Sequence, residues 1–263
     1  MNDFIFKIDH AVAKFFHSIY AWGGEFANGF MKGISFIAEA GILFLLVGLG
    51  LALFKRTRKI GGTILLAVAF GFLFTNVILK NVVERARPFS NIMSEYYNWW
   101  LDAGANFEGG YSFPSGHTTA TCAFAVAIFL TTNKKYSWYI LLLPIAMASS
   151  RIYLMVHYFT DCLGGLVVGS VCAGLAYLIV KLIYASKAKF FIWLREFDIR
   201  NPKAPISMTS NSKVYTKPQT ETTSSDYKEE FVYSTQEEEL KSQQNAEEEL
   251  KQTNQSKNID SDE

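Results

Sequence analysis

Long apolar runs separated by short basic stretches fill the 263-residue chain up to about Arg200, and large apolar side chains then almost vanish. Runs over 34–54, 61–79, 118–132, 138–159 and 163–185 approach or reach the roughly 20 apolar residues a helix needs to cross a hydrocarbon layer. They predict an all-α integral membrane protein with about five crossings, the third short unless flanking residues extend it. Residues 3–22 follow another pattern, with Phe4, Ile5, Ile8, Val12, Phe15, Phe16 and Ile19 on one helical stripe and Lys7, His10, Lys14 and His17 on the other. Charge at that interval predicts an amphipathic helix in the headgroup plane, with a poorly apolar first span as the alternative. A cleavable signal peptide fits poorly, because Asp3, Lys7, Asp9 and Lys14 interrupt any apolar core.

Charge orients the spans. Lys55, Arg56, Arg58 and Lys59 follow the first, Lys134 and Lys135 the third, and Lys181, Lys187 and Lys189 accompany the end of the fifth, which predicts the cytoplasmic side. The opposite side carries the segment over 89–113, whose Tyr96, Tyr97, Trp99 and Trp100 suit a membrane interface and whose acids are Glu95, Asp102 and Glu108. Beyond Asn201 the composition of Ser, Thr, Gln, Asn, Glu and Lys cannot bury enough apolar surface to offset chain entropy. The expected organisation is an amphipathic helix over 1–22, a membrane-embedded domain over 23–198 and a disordered cytoplasmic tail over 199–263. Glu237–Lys241 and Glu247–Lys251 read as solvated charge runs within that tail.

A formal net charge of +1, with no basic stripe interleaved with aromatics, argues against nucleic acid as a partner. Cys122, Cys162 and Cys172 lie in apolar surroundings without metal-like spacing and read as small core residues. No carboxylate cluster has metal-ligand spacing, so no metal or cofactor is expected.

Three short polar stretches stand at the ends of apolar runs, all on the outer side. Lys80 and Arg87 are seven residues apart, close to two helical turns, and Pro88 disfavours helix at Arg87. The pair could hold an anion, or could simply snorkel to the headgroups. Pro114, Ser115, Gly116 and His117 precede the third span. A helix N-terminus offers unpaired amides and a favourable dipole to an anion, Gly116 permits close approach, and Ser115 can donate a further hydrogen bond. A plain cap made by Ser115, with His117 satisfied at the interface, is the alternative. Arg151 interrupts an apolar run, where an unpaired guanidinium costs on the order of 2.5 kcal/mol or more, so it must face a polar interior or an anion. His157 and Asp161 share a helix face if the segment stays helical, and Asp161 could then fix the imidazole tautomer. Asp161 as an N-cap beside a packed His157 is also compatible, but leaves Arg151 unexplained.

The motifs Lys-x6-Arg-Pro, Pro-Ser-Gly-His and Ser-Arg-x5-His-x3-Asp, in this order, resemble the type 2 phosphatidic acid phosphatase superfamily of metal-independent lipid phosphate phosphatases. The resemblance covers about 34–185 and implies a helical bundle of the type shared with vanadate haloperoxidases. It also implies His157 as nucleophile, Asp161 as its orienting partner and His117 as general acid. Lys80, Arg87, Ser115, Gly116 and Arg151 would bind the phosphate. The implied substrate is a lipid phosphate or diphosphate, such as undecaprenyl diphosphate, phosphatidic acid or phosphatidylglycerophosphate, hydrolysed at the outer face of the plasma membrane. A lipid phosphotransferase with an alcohol acceptor and a non-enzymatic lipid-phosphate or anion transporter are the rivals. A homo-oligomer is left open.

Overall fold

The computed structural model describes residues 3–38 and 41–188, and among these every regular element is helical. The tail expected over 199–263 lies outside the described residues. Helix α1 (Asp3–Ala38) bends at Gly24, whose φ of 50° and ψ of −137° are non-helical, two residues beyond the boundary expected at 22. Helices α2 (Gly41–Leu53) and α3 (Arg58–Val83) form a hairpin. A long connection containing α4 (Glu95–Asp102) leads to α5 (Gly116–Thr131), and α6 (Leu142–Tyr153) and α7 (Phe159–Ala185) follow.

Helices α3 and α7 are long and apolar enough to cross a membrane, while α5 is apolar but shorter. The run over 138–159, expected as one span, is divided. A 3₁₀ turn over Trp138–Leu141 enters α6, which ends at Tyr153, and Met155 then takes a left-handed backbone with φ 54°. Hence the expectation of about five crossings rests on the apolar runs rather than on helix length.

The bundle packs through small residues. Phe44, Ile64, Ala67, Val68, Ala123, Phe124, Ala127, Met147, Ala173 and Ala176 form its central cluster, drawn from α2, α3, α5, α6 and α7. Gly165, Gly169 and Ala173 lie at four-residue intervals on α7, the small-residue stripe that lets two helix backbones meet. A Cβ at Gly165 would lie 2.8 Å from the carbonyl oxygen of Ser115, and one at Gly169 2.6 Å from that of Thr119. This contact fixes the start of α7 against the start of α5. At the other end, the basic turn finishes α2, because Thr57 Oγ1 donates to the Leu51 carbonyl at 2.8 Å and Arg58 Nε to that of Ala52 at 2.9 Å.

Within α3, Leu73–Leu79 is π-helical. A π turn holds more residues than an α turn and so rotates whatever follows about the helix axis. Lys80 follows at once. Thr75, buried in this stretch, donates from Oγ1 to Thr119 Oγ1 at 3.1 Å and locks α3 to α5.

Candidate active site

Glu84, left-handed with φ 50°, ends α3, and Arg87 beyond it is extended at φ −74°, ψ 157° ahead of Pro88. Lys80 and Arg87 therefore do not share a helix face, as their spacing suggested. The chain turns between them, and both line one cavity of about 1230 Å³. Arg87 is 5% exposed and held by carbonyls: Nε donates to Gly110 at 3.0 Å, Nη2 to Gly109 at 2.9 Å and Nη1 to Val156 at 2.9 Å. Burial pulls its guanidinium down to about 10, still protonated at neutral pH.

Ser115 is the N-cap of α5: its Oγ accepts from Thr118 N at 3.5 Å and from Thr118 Oγ1 at 3.1 Å, and its own N–H donates to the Asp161 carbonyl at 3.0 Å. Fully buried, it does not line the cavity, so its hydroxyl is not aimed at an anion there. Gly116 and His117 do line it. A Cβ at Gly116 would meet Asn76 at 3.5 Å, an ordinary contact.

Arg151, 3% exposed in the last turn of α6, donates from Nη1 to Ser35 of α1. The break at Met155 separates His157 from α6, and Asp161 belongs to the first turn of α7. The two do not lie on one helix, as their spacing allowed. The turn instead brings His157 Nδ1 to 3.7 Å from Asp161 Oδ2. Ser112 stands between them, its Oγ donating to Asp161 Oδ2 at 2.5 Å and lying 3.5 Å from His157 Nδ1. Asp161 Oδ2 also accepts from Tyr158 N at 2.9 Å, and Oδ1 accepts from Arg85 Nη1 at 2.6 Å. Asp161 is thus both an N-terminal helix cap and the neighbour of His157.

His157 is 2% exposed, and burial pulls its imidazole down to about 4, so it is neutral at pH 7. With Nδ1 turned to Ser112 and Asp161, Nε2 faces the cavity, 3.4 Å from Arg87 Nη1. A carboxylate fills the space in front of it. Glu108 Oε2 accepts from Arg87 Nη1 at 2.8 Å and lies 3.5 Å from His157 Nε2, while Oε1 pairs with Arg151 Nη2 and lies 3.8 Å from His117 Nδ1. The sequence marked Glu108 only as one acid of the outer segment. Nothing in its spacing singles it out; it is reached because Gly109 and Gly110, with φ 72° at Gly110, turn their carbonyls onto Arg87.

Two arginines and two histidines thus surround one carboxylate at one end of a helical bundle in a membrane protein. Residues 60–184 match the PAP2 superfamily. A phosphatidylglycerophosphatase B from Bacillus subtilis is 30% identical over 154 residues, which cover 54% of this chain and 70% of that protein. An undecaprenyl-diphosphatase from Sulfolobus acidocaldarius is 33% identical over 121 residues, 46% of this chain and little more than half, 55%, of the relative. The crystal structure of the transmembrane PAP2-type phosphatidylglycerolphosphate phosphatase from B. subtilis shares the fold, with a TM-score of 0.51 at 24% identity over 72% of this chain and 90% of that one. The chain belongs to the PAP2 superfamily.

Proposed function

We propose that the protein hydrolyses a lipid phosphate or diphosphate through a phosphohistidine at His157. The observation that carries this reading is the Glu108 carboxylate, whose oxygens stand where two phosphoryl oxygens would bind, on Arg87 and Arg151 and in front of His157 Nε2. A phosphoryl group spreads charge over three equatorial oxygens, and fixed cations stabilise that charge where water is excluded. Arg87, Arg151 and Lys80 supply the cations, and the Gly116 amide at the start of α5 adds a donor. Ser115 supports the cradle as the cap that holds this helix end.

In the first step the Nε2 lone pair of His157 attacks the terminal phosphorus, and its bond to the oxygen of the departing lipid alcohol, or of the departing lipid phosphate in a diphosphate, breaks. Asp161, with Ser112, keeps the proton on Nδ1 and stabilises the imidazolium that forms. His117 gives its proton to the departing oxygen. In the second step water loses a proton to His117 and attacks phosphorus, the N–P bond breaks, and inorganic phosphate leaves.

A lipid suits the cavity. Its polar end holds the cations and histidines, while Ile42, Leu45, Val68, Ala69 and Phe72 line the rest, a wall fit for a hydrocarbon chain. The relatives named above, an undecaprenyl-diphosphatase and a phosphatidylglycerophosphatase, differ in the lipid their names carry and share the phosphate. Charge at the helix ends supports an orientation: α3, α5 and α7 each have one end at the site, and the other ends adjoin Arg58 and Lys59, Lys134 and Lys135, and Lys181 and Lys187. By the positive-inside rule the site opens outside the cytoplasm.

Purified protein given a panel of lipid phosphates with a chelator present tests the reading. Release of phosphate by the parent, an acid-labile phosphoenzyme, and loss of both in His157→Ala are expected. Release that persists in His157→Ala would overturn it, and transfer to an added alcohol in place of water would favour the phosphotransferase.

A further inference from the structure

Asp9 is fully buried on the N-terminal half of α1, between exposed neighbours such as Lys7 and Ala11. A carboxylate taken out of water is retained only with charge and hydrogen-bond partners. Its Oδ2 accepts from Arg85 Nη2 at 2.7 Å and from Thr160 Oγ1 at 2.8 Å, and its Oδ1 from Thr160 N at 2.9 Å. The same guanidinium donates from Nη1 to Asp161 Oδ1 at 2.6 Å and to Thr160 Oγ1 at 2.7 Å, and stacks 4.0 Å above the Tyr158 ring. One arginine thus lies between two buried carboxylates distant in the sequence, and one of these is the neighbour of His157.

We propose that Asp9 and Arg85 are positioning residues for His157 that act through Asp161, which makes the N-terminal helix part of the catalytic apparatus. The inference rests on the hydrolase reading above. Arg85 fixes the rotation of the Asp161 carboxylate by holding Oδ1, which leaves Oδ2 toward Ser112 and the imidazole. A guanidinium paired with Asp161 alone would draw charge away from the oxygen that faces Nδ1. Asp9 supplies a second counter-ion, so the carboxylate, guanidinium and carboxylate together carry one net negative charge. Asp161 then retains its pull on the imidazole proton and its stabilisation of the phosphorylated ring. Arg87 and Arg151 are held by other partners, so anion binding does not depend on Asp9.

The test measures kcat, KM and inhibition by inorganic phosphate on a short-chain lipid phosphate, with full-length parent, Asp9→Asn, Arg85→Lys and Asn28→Ala in detergent. Asn28 binds α1 to the Asp102 carbonyl and to the Tyr153 hydroxyl without touching the network, so its variant reports on helix docking alone. Asp9→Asn and Arg85→Lys are expected to lower kcat by about 10–100-fold, the usual effect of losing a partner that orients a functional group, with KM and phosphate inhibition within about twofold. Asn28→Ala should keep the parent kcat. On an Asp161→Asn background, Asp9→Asn should cost nothing further, because both act through one carboxylate. An active parent with unchanged kcat in folded Arg85→Lys overturns the proposal, whether or not Asp9→Asn folds. So does a parallel loss in Asn28→Ala. A parent inactive on every phosphate ester overturns the hydrolase reading and, with it, this one.

Discussion

Glu108 and Arg87 form the ion pair that closes the cradle: Oε2 accepts from Nη1 at 2.8 Å, on the side of the guanidinium that faces His157. A phosphoryl group entering the site must displace this carboxylate, since both seek the same donors. Glu108→Gln removes the competing charge. A hydrogen bond to a charged group is worth about 1.5–3 kcal/mol, so inorganic phosphate and orthovanadate should inhibit the variant roughly 10–100-fold more tightly than the parent. Unchanged inhibition constants would show that the carboxylate does not compete with the anion.

Ser112 separates the direct and bridged forms of the His157–Asp161 contact. At 3.7 Å the ring nitrogen and carboxylate do not form a close hydrogen bond, and the Ser112 hydroxyl lies within reach of both. Asp161→Asn should lower kcat on the order of 10⁴-fold, the cost of losing the carboxylate that sets a catalytic imidazole's tautomer. Ser112→Ala leaves that carboxylate in place and should cost about 10–100-fold, one hydrogen bond to a charged group. Equal losses in steady-state kcat would mean that Asp161 works only through Ser112.

His157 lies in the connection between α6 and α7, outside the helices, and burial pulls it down to about 4. In the unfolded chain the same group titrates near about 6.5. Between these values the unfolded state binds more protons than the folded one, so this contribution to stability is complete above about pH 6.5 and is lost as pH falls toward about 4. The slope is at most about 1.4 kcal/mol per pH unit. Thermal melts of parent and His157→Gln should therefore converge or cross as pH falls through this window, since the variant lacks the titrating ring. A stability gap that stays constant with pH would contradict a neutral, buried imidazole.

The residues of the cradle were legible because their chemistry is local: Arg151 in an apolar run and His117 at a helix start announce themselves. Their assembly was less so. The spacing of His157 and Asp161 suggested one helix, but a methionine at φ 54° ends it, and Met155 carries none of the left-handed preference of Gly or Asn that would have signalled the turn. Lys80 and Arg87 converge through a left-handed Glu84, equally silent in sequence. The sequence presents Asp9 only as a charge that interrupts an apolar core, because its partner, Arg85, is 76 residues away and no local period reports it. Ser115 went the other way: the helix cap considered as its alternative role is the one its hydroxyl fills.

Two glycines on α7 offer a matched pair. A Cβ at Gly165 would lie 2.8 Å from the Ser115 carbonyl oxygen and 3.0 Å from Thr118 Cβ, whereas one at Gly174 meets nothing within 4 Å. Gly165→Ala must push α7 from α5, and overpacking of that kind costs about 1–3 kcal/mol. The displaced parts are the first turns of the two helices, which carry Asp161 and His117. Activity should therefore fall beyond what the loss of stability explains. Gly174→Ala adds a methyl in open space and removes unfolded-state freedom, so it should raise stability by about 0.5–1 kcal/mol and leave kcat alone. Thermal melts with activity assays at a temperature where both variants are folded check the pair. Equal behaviour of the two would show that close contact between α5 and α7 does not set the geometry of the histidines.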